Sequence, residues 1–355
     1  MTKNSGFFSK KLIIWYLEHK RDLPWRETKA PYFIWLSEIM LQQTRVNQGL
    51  PYYLKFIKAF PTIKALADAS EDQVLKLWQG LGYYSRARNL HSTAKYIAYE
   101  CDGVFPQNYD DLLALKGVGD YTASAIASIC FDAPTAVVDG NVYRVLSRVF
   151  GIETPINTTQ GIKEFKTLAQ QLLDYNDPGT YNQAIMEFGA GYCVPQNPHC
   201  DQCIFASNCE AYSAKKVSQL PVKLKKSRVK KRYFNYIVLL SENEKTQLEQ
   251  RNQKGIWQQL FEFPLIETTA EATAEALMAT KRYKELSKKY NIESLSLYNE
   301  EVVVHKLSHQ HLYTRFWIAE VSEEIELNTA ISKVTDYAVP VLIANFISEF
   351  SVFKN

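Results

Sequence analysis

Apolar residues recur every three or four positions through roughly the first two hundred residues, then give way to alternating, β-branched runs. Residues 7–20 form the first predicted helix, with Phe8, Leu12, Trp15 and Tyr16 on its apolar side. Leu23-Pro24-Trp25-Arg26 breaks it, because proline disfavours helix in the residue before it. A second helix runs from Tyr32 to Val46, and residues 50–79 read as two shorter ones, the last stopped by Gly80. Leu112, Leu113 and Leu115 end a short apolar helix; the small residues Ala123, Ala125, Ala127 and Ser128 predict one that packs closely. Another spans Val142 to Phe150, and helices continue through Gln183 and Phe188. From Tyr233 the pattern changes. Tyr233 to Leu240, Lys245 to Arg251, Ile256 to Phe263, Val302 to Val304 and Leu312 to Ala319 read as strands or their partners. Residues 270–290 and 339–350 read as helices. The predicted class is mainly α, followed by a separate α+β domain.

Length and charge sharpen this division. A chain of 355 residues exceeds one typical domain. The net charge of +3 is mild, but residues 215–232 hold nine Lys or Arg and no acid. We therefore expect a helical domain over 1–212, a basic linker over 213–232 and a second domain over 233–355. Six cysteines in so long a chain do not suggest a secreted disulfide scaffold. The first eleven residues lack a signal-peptide core, and no apolar run approaches the roughly 20 residues of a membrane span. These features read as a cytoplasmic protein.

Within the helical part, several stretches carry chemistry. Glu38 lies three or four positions from Ile34, Trp35 and Leu41, so it sits on an apolar helix face. Burial raises a carboxyl pKa and makes such a group a candidate general acid; a glutamate at the stripe's edge that reaches solvent is the plainer alternative. Gln42, Gln43, Thr44 and Arg45 give that helix an unusually polar end. Gly80-Leu81-Gly82-Tyr83-Tyr84-Ser85-Arg86-Ala87-Arg88 suits either a packed interhelical turn or a loop that wedges Leu81 into a duplex while the arginines hold phosphate. Lys116-Gly117-Val118-Gly119 allows a tight turn between two helices, with Asp120 as the expected cap of the second: a helix-hairpin-helix whose exposed amides suit a phosphate. Asp139, between Val137-Val138 and the next helix, is a predicted N-cap, whose pKa amide hydrogen bonds and the helix dipole should lower so that it stays anionic. Two carboxyls held at different pKa values can protonate a leaving group and stabilise a glycosyl cation. Cys193, Cys200, Cys203 and Cys209 crowd one loop and predict a metal, tetrahedral zinc or an iron–sulfur cubane. Cys101 and Cys130 lie apart and read as ordinary buried cysteines. Leu307-Ser308-His309-Gln310-His311 reads as a polar hairpin tip in the second domain.

Together these motifs resemble the endonuclease III (helix-hairpin-helix) superfamily of DNA glycosylases, and within it the MutY type that acts on adenine. The matches are Leu23-Pro24-Trp25, Ser37 to Thr44, Gly80 to Tyr84, Gly117-Val118-Gly119, Val138 to Val142 and the four cysteines, over nearly the whole chain. The resemblance implies a 4Fe-4S cluster on Cys193, Cys200, Cys203 and Cys209. It also implies a six-helix subdomain (about 27–131) inserted in a cluster subdomain (1–26 and 132–212), and a Nudix-like second domain. The second domain lacks the Arg-Glu-x-x-Glu-Glu run of a Nudix hydrolase, so no nucleotide hydrolysis is expected there. The implied substrate is double-stranded DNA bearing adenine opposite 8-oxoguanine, bound by a monomer. In that likeness Glu38 protonates adenine, Asp139 offsets charge on the sugar, and Asn141 and Tyr121 support them. Arg26 and Gln183 hold the extruded adenine. Gln43, Thr44, Leu81 and Tyr83 serve the lesion side, and Ser308 and His309 probe the lesion; Arg86 by its type, and Lys116, Gly117 and Gly119 by their place on the hairpin, are expected at DNA phosphates. Leu307 replaces the family's phenylalanine. Tyr121 stands where lyases carry a lysine, which implies a glycosylase without backbone cleavage.

Overall fold

The structure, a computed structural model, describes residues 5–224, 229–322 and 325–354. Residues 225–228 of the predicted linker lie outside the described residues. Packing divides the chain into two units: Met1–Asp68 with Asn89–Lys225, and Ala69–Arg88 with Lys226–Asn355.

The helices in chain order are α1 (Ser5–His19), α2 (Pro31–Leu41), α3 (Val46–Ala59), α4 (Ile63–Asp68), α5 (Glu71–Trp78), α6 (Ser85–Glu100), α7 (Tyr109–Leu113), α8 (Asp120–Phe131), α9 (Gly140–Phe150), α10 (Thr159–Leu172) and α11 (Pro178–Gly191). In the first unit α11 packs against α1, α8 and α9, while α2 packs on α3 and α8. The apolar stripe of α1 (Phe8, Leu12, Trp15, Tyr16) is buried, as its spacing predicts. Ala123, Ala125, Ala127 and Ser128 of α8 are all buried, so their small volume lets neighbouring helices approach.

Two local expectations are corrected. The predicted helix from Tyr32 to Val46 ends at Leu41, because Gln43 adopts a left-handed backbone (φ 55°) and Val46 starts a new helix. Asp120 does not cap α8. Gly119 is the N-cap, without a side-chain bond, and Asp120 in the first turn binds Lys166 (2.6 Å) and the Tyr109 hydroxyl. Gly117 turns the hairpin at φ 83°, a conformation that side chains resist, and a Cβ there would lie 2.7 Å from that of Asn89.

The second unit holds strands β1 (Lys230–Ser241), β2 (Lys245–Thr246), β3 (Glu249–Gln250), β4 (Phe261–Glu262), β5 (Leu265–Thr268), β6 (Ile292–Leu297), β7 (Val303–Lys306), β8 (Gln310–Val321) and β9 (Thr329–Ala330). The sheet runs β6-β8-β1-β2-β9, with β5 on β1 and β7 on β8. Its long central pair, β1 and β8, is parallel. Helices α13 (Ala274–Met278) and α14 (Lys281–Tyr290) follow the short α12 (Glu210–Ser213) in the numbering, and α15 (Val341–Glu349) closes the chain. Strand β1 starts within the predicted linker, and residues just before it pack back on the first unit: Ile156 N donates to Val222 O (3.0 Å). Residues 69–88, expected in the helical domain, pack in the second unit. There Arg88 donates to Gln258 O (2.7 Å) and Lys76 to Tyr337 O (3.0 Å).

Candidate active site

Helix α2 is buried almost all round, and Glu38 within it is 8% exposed. Its carboxyl faces a pocket of about 160 Å³ that Asp139, Tyr121, Asn141, Arg26 and Gln183 also line. That volume is roughly ten times the minimum for one water, so the pocket admits a molecule of several atoms. The two carboxyls predicted to work together therefore share one cavity.

Their environments differ. Burial drives the Glu38 pKa up to about 7, against a lowering hydrogen bond from Tyr121; the charge of Asp139 raises it further and that of Arg26 lowers it. Asp139 is the N-cap of α9, as predicted. Its Oδ1 accepts from the amides of Asn141 (2.9 Å) and Val142 (2.8 Å), and its Oδ2 from Asn141 Nδ2 (2.8 Å). The expected lowering of its pKa is corrected. Burial pushes it up, and the amides, Asn141 and Arg144 only partly offset that. Even so, three N–H donors favour the anion of Asp139, whereas Glu38 has one hydroxyl. Tyr121 offers that hydroxyl between Glu38 and Met186, whose Sδ lies 3.0 Å away.

The far wall of the pocket was not foreseen. Glu187, 3% exposed, accepts from the Arg21 guanidinium through two bonds (2.6 and 2.7 Å), from the Arg21 amide (3.2 Å) and from Arg26 through one bond (2.6 Å). Burial pushes its pKa up, but the two guanidinium groups overcome this and hold it down at about 2. Arg26 lies 5.4 Å from the Tyr16 ring centroid, and the Tyr16 hydroxyl donates to Gln183 Oε1 (2.7 Å). Glu187 lies one helical turn beyond Gln183 on α11, an offset that marks it as a neighbour once Gln183 is suspected. Similarly Arg144, three residues past Asn141, donates to Asn141 Oδ1 (2.9 Å), Gly189 O (2.6 Å) and Cys193 O (2.7 Å). Gly189 permits this approach of α11, since a Cβ there would sit 2.7 Å from that of Asn141.

Cys193, Cys200, Cys203 and Cys209 are free thiols lining one pocket. Buried Arg148 spans it, donating to Val194 O (2.7 Å), Pro195 O (3.0 Å) and Cys193 Sγ (3.5 Å). Among the described residues no three His, Cys, Asp or Glu side chains converge as ligands of a single ion would. Of the two outlying cysteines, Cys101 and Cys130, both are half-buried, and burial pushes Cys130 up to about 12.

Of the two forms open to the loop after α5, the structure has the packed turn. Leu81 is 3% exposed and so is not an apolar tip; Tyr83, at φ 49° and 47% exposed, is what projects. Arg86 is no phosphate grip either. It is buried, donates to Gly82 O (3.1 Å), and lies 5.2 Å from the Trp78 ring. Gln43 is exposed, and Thr44 lines the pocket of Glu38 and Asp139. Lys116, Gly117 and Gly119 are exposed at the hairpin. In the second unit Ser308 and His309 are exposed in the turn between β7 and β8, 3.3 Å from Oγ to Nδ1.

Comparison with known proteins puts a family on this geometry. The profile of the HhH-GPD superfamily base excision DNA repair proteins matches residues 36–171, and that of the NUDIX domain residues 235–349. The adenine DNA glycosylase of Buchnera aphidicola (subsp. Baizongia pistaciae) is 37% identical over 313 residues, 88% of this chain and 86% of that protein. The chain belongs to the adenine DNA glycosylase family. The mouse family member is 45% identical over 222 residues, 60% of this chain and 43% of that protein. Among solved structures, a thermostable thymine-DNA glycosylase is similar, with TM-score 0.55 and 29% identity over 60% of this chain and 98% of its own. Among the described residues no helix is long and apolar enough to cross a membrane.

Proposed function

We propose that the protein excises adenine opposite 8-oxoguanine in duplex DNA, by hydrolysis and without cutting the backbone. The observation that carries this reading is the single pocket shared by Glu38, at about 7, and Asp139, amide-bound at a helix N-terminus. Adenine inside the stack is out of reach, so it must be flipped out, at roughly a few kcal/mol. Arg26 and Gln183 hold the extruded base. Glu38 gives its proton to the base, and the glycosidic electron pair leaves with the base. The Asp139 carboxylate, oriented by Asn141, offsets the positive charge left on the sugar. Water then adds to the sugar and its proton restores Glu38. Tyr121 steadies Glu38; because it is not an amine it forms no Schiff base, and Tyr143 likewise removes a lysine found in some relatives.

The hairpin of Lys116, Gly117 and Gly119 grips phosphate. Gln43, Thr44 and Tyr83 meet the opposite strand, with Leu81 and Arg86 shaping the loop beneath, and Ser308 and His309 test the lesion. Cys193, Cys200, Cys203 and Cys209 would hold a 4Fe-4S cluster: the donor set is four unoxidised sulfurs around one pocket. When bound, the cluster would tie that loop together. The protein acts as a monomer in the compartment that contains the DNA.

The test uses duplexes bearing adenine opposite 8-oxoguanine, guanine or thymine, with strand cleavage compared before and after alkali. Cleavage that needs alkali and is fastest opposite 8-oxoguanine is expected. Glu38→Gln should abolish adenine release while leaving DNA binding intact; ordinary turnover by that variant rejects the acid role.

A further inference from the structure

One face of the β1–β8 pair is covered at one end only. Ile237, Leu239, Trp317 and Ala319 pack under Leu277 of α13 and Leu286 of α14. On β8 the rim of that cover is Arg315, which donates to Ala272 O (3.0 Å) and contacts Glu271 (3.4 Å). Beyond Arg315 the described residues leave the side chains of the same face half-buried or exposed. Strand register sets Lys231, His311 and Lys306 side by side, and Tyr233, Tyr313 and Val304 in the next row. Lys231 and Lys306 are exposed, and Val304 is 41% exposed. Tyr233 and Tyr313 stack at 5.2 Å, and Lys231 Nζ lies 5.6 Å from the Tyr313 ring centroid. Neither row contains a carboxylate. Glu267 on the neighbouring strand is paired to Arg232 (2.6 Å), one position off this face. The Ser308–His309 turn follows Lys306 after one residue, Leu307, and Lys230 N donates to His309 O (3.1 Å), which stitches β1 to that turn.

We propose that this uncovered row is a docking surface for the phosphate backbone of duplex DNA, with Lys231 and Lys306 as the phosphate contacts. Three adjacent strands at about 4.8 Å make a cationic row roughly 10 Å across. A DNA strand carries one charge per about 3.4 Å of axis, so the row meets more than one phosphate. The apolar row behind it suits the sugar edges of the same strand. The surface would fix the register in which Ser308 and His309 meet the duplex, and in that respect it rests on the proposed lesion-reading role. Backbone affinity itself does not require that role.

The experiment uses the full chain and an undamaged duplex, with affinity measured by fluorescence anisotropy from about 50 to 200 mM salt. Lys231→Gln/Lys306→Gln is compared with Lys281→Gln/Lys284→Gln on exposed α14, which removes the same charge from the same unit. Each lost phosphate contact flattens the slope of log K against log salt by about 0.9. The sheet-face pair should flatten it by about 1.8 and the α14 pair should leave it unchanged, with equal melting temperatures. Equal flattening by both pairs would mean a diffuse charge effect and overturn the proposal. An unchanged slope in the sheet-face pair would also overturn it, and would leave an acidic protein as the partner to seek. Loss of adenine specificity in other assays would refute the enzymatic reading without altering this result.

Discussion

The hydroxyl of Tyr121 has one proton and two acceptors within reach, the Glu38 carboxyl and Met186 Sδ at 3.0 Å. Tyr121→Phe removes it while keeping the ring. The hydroxyl stabilises the Glu38 carboxylate, so its loss must raise the Glu38 pKa from about 7. A hydrogen bond to a charged group contributes about 1.5 kcal/mol, which corresponds to about one pH unit. In the proposed mechanism Glu38 works as an acid, so activity should fall as pH rises through its pKa. The falling limb of the pH–rate profile should therefore move up by about one pH unit in Tyr121→Phe. Its plateau should drop, because a weaker acid protonates the base less readily. Met186→Leu makes the opposite prediction: without sulfur, the hydroxyl turns wholly to Glu38 and the limb moves down. Asp139, Arg26 and Cys130 also face Glu38 and are untouched by either change. The assay is the second-order excision rate at sub-saturating duplex from pH 5 to 9, which reports the free enzyme. In the double variant the limb should match Tyr121→Phe alone. A limb that stays put or moves down in Tyr121→Phe refutes the assignment of this hydroxyl to Glu38.

Leu81→Ala should cost about 2–4 kcal/mol of stability because Leu81 is buried, whereas Tyr83→Ala should cost under about 0.5 kcal/mol yet weaken mismatch binding; chemical denaturation and duplex titration separate the two. Ser308→Ala and His309→Ala should lower the preference for 8-oxoguanine over guanine opposite adenine without changing thermal stability, and unchanged discrimination in both would remove the second unit from lesion reading. Glu187 is held at about 2 when folded against 4.5 when unfolded, so its contribution is complete above about 4.5 and disappears as pH falls to about 2. The corresponding stability is about 2–3 kcal/mol, reduced because Arg21 is 43% exposed; Glu187→Gln should flatten the acid limb of denaturation, and an unchanged limb would show that the pair is neutral.

What could be read from the chain depended on how local the cause was. Glu38 was legible because its apolar neighbours lie within one turn of it, and Asp139 because capping is a contact over two or three residues. The direction of the Asp139 pKa was not, since burial by distant elements outweighs the local amides. Leu81 between two glycines reads the same whether it points in or out, and the left-handed backbone at Gly80, Gly82 and Tyr83 sets which side chain projects. Arg86 looks like a phosphate ligand by type, yet the loop carbonyls and the Trp78 ring occupy its guanidinium.

The same logic explains why the supports of the pocket were missed while the two carboxyls that share it were legible. Tyr16 and Gln183 meet across 167 positions and Arg21 and Glu187 across 166, separations at which no periodicity speaks. Yet two of the supports lie one helical turn from a residue already suspected: Glu187 from Gln183, and Arg144 from Asn141. Helices bring residues three and four apart onto one face, so a carboxylate or guanidinium at that offset from a suspected ligand is the first place to look for its partner. Met186, three residues beyond Gln183 and in contact with Tyr121, obeys the same rule without carrying any charge. Where the site is built on helices, its supporting contacts are thus encoded as offsets from the reactive residues, even when their partners lie far away in the chain.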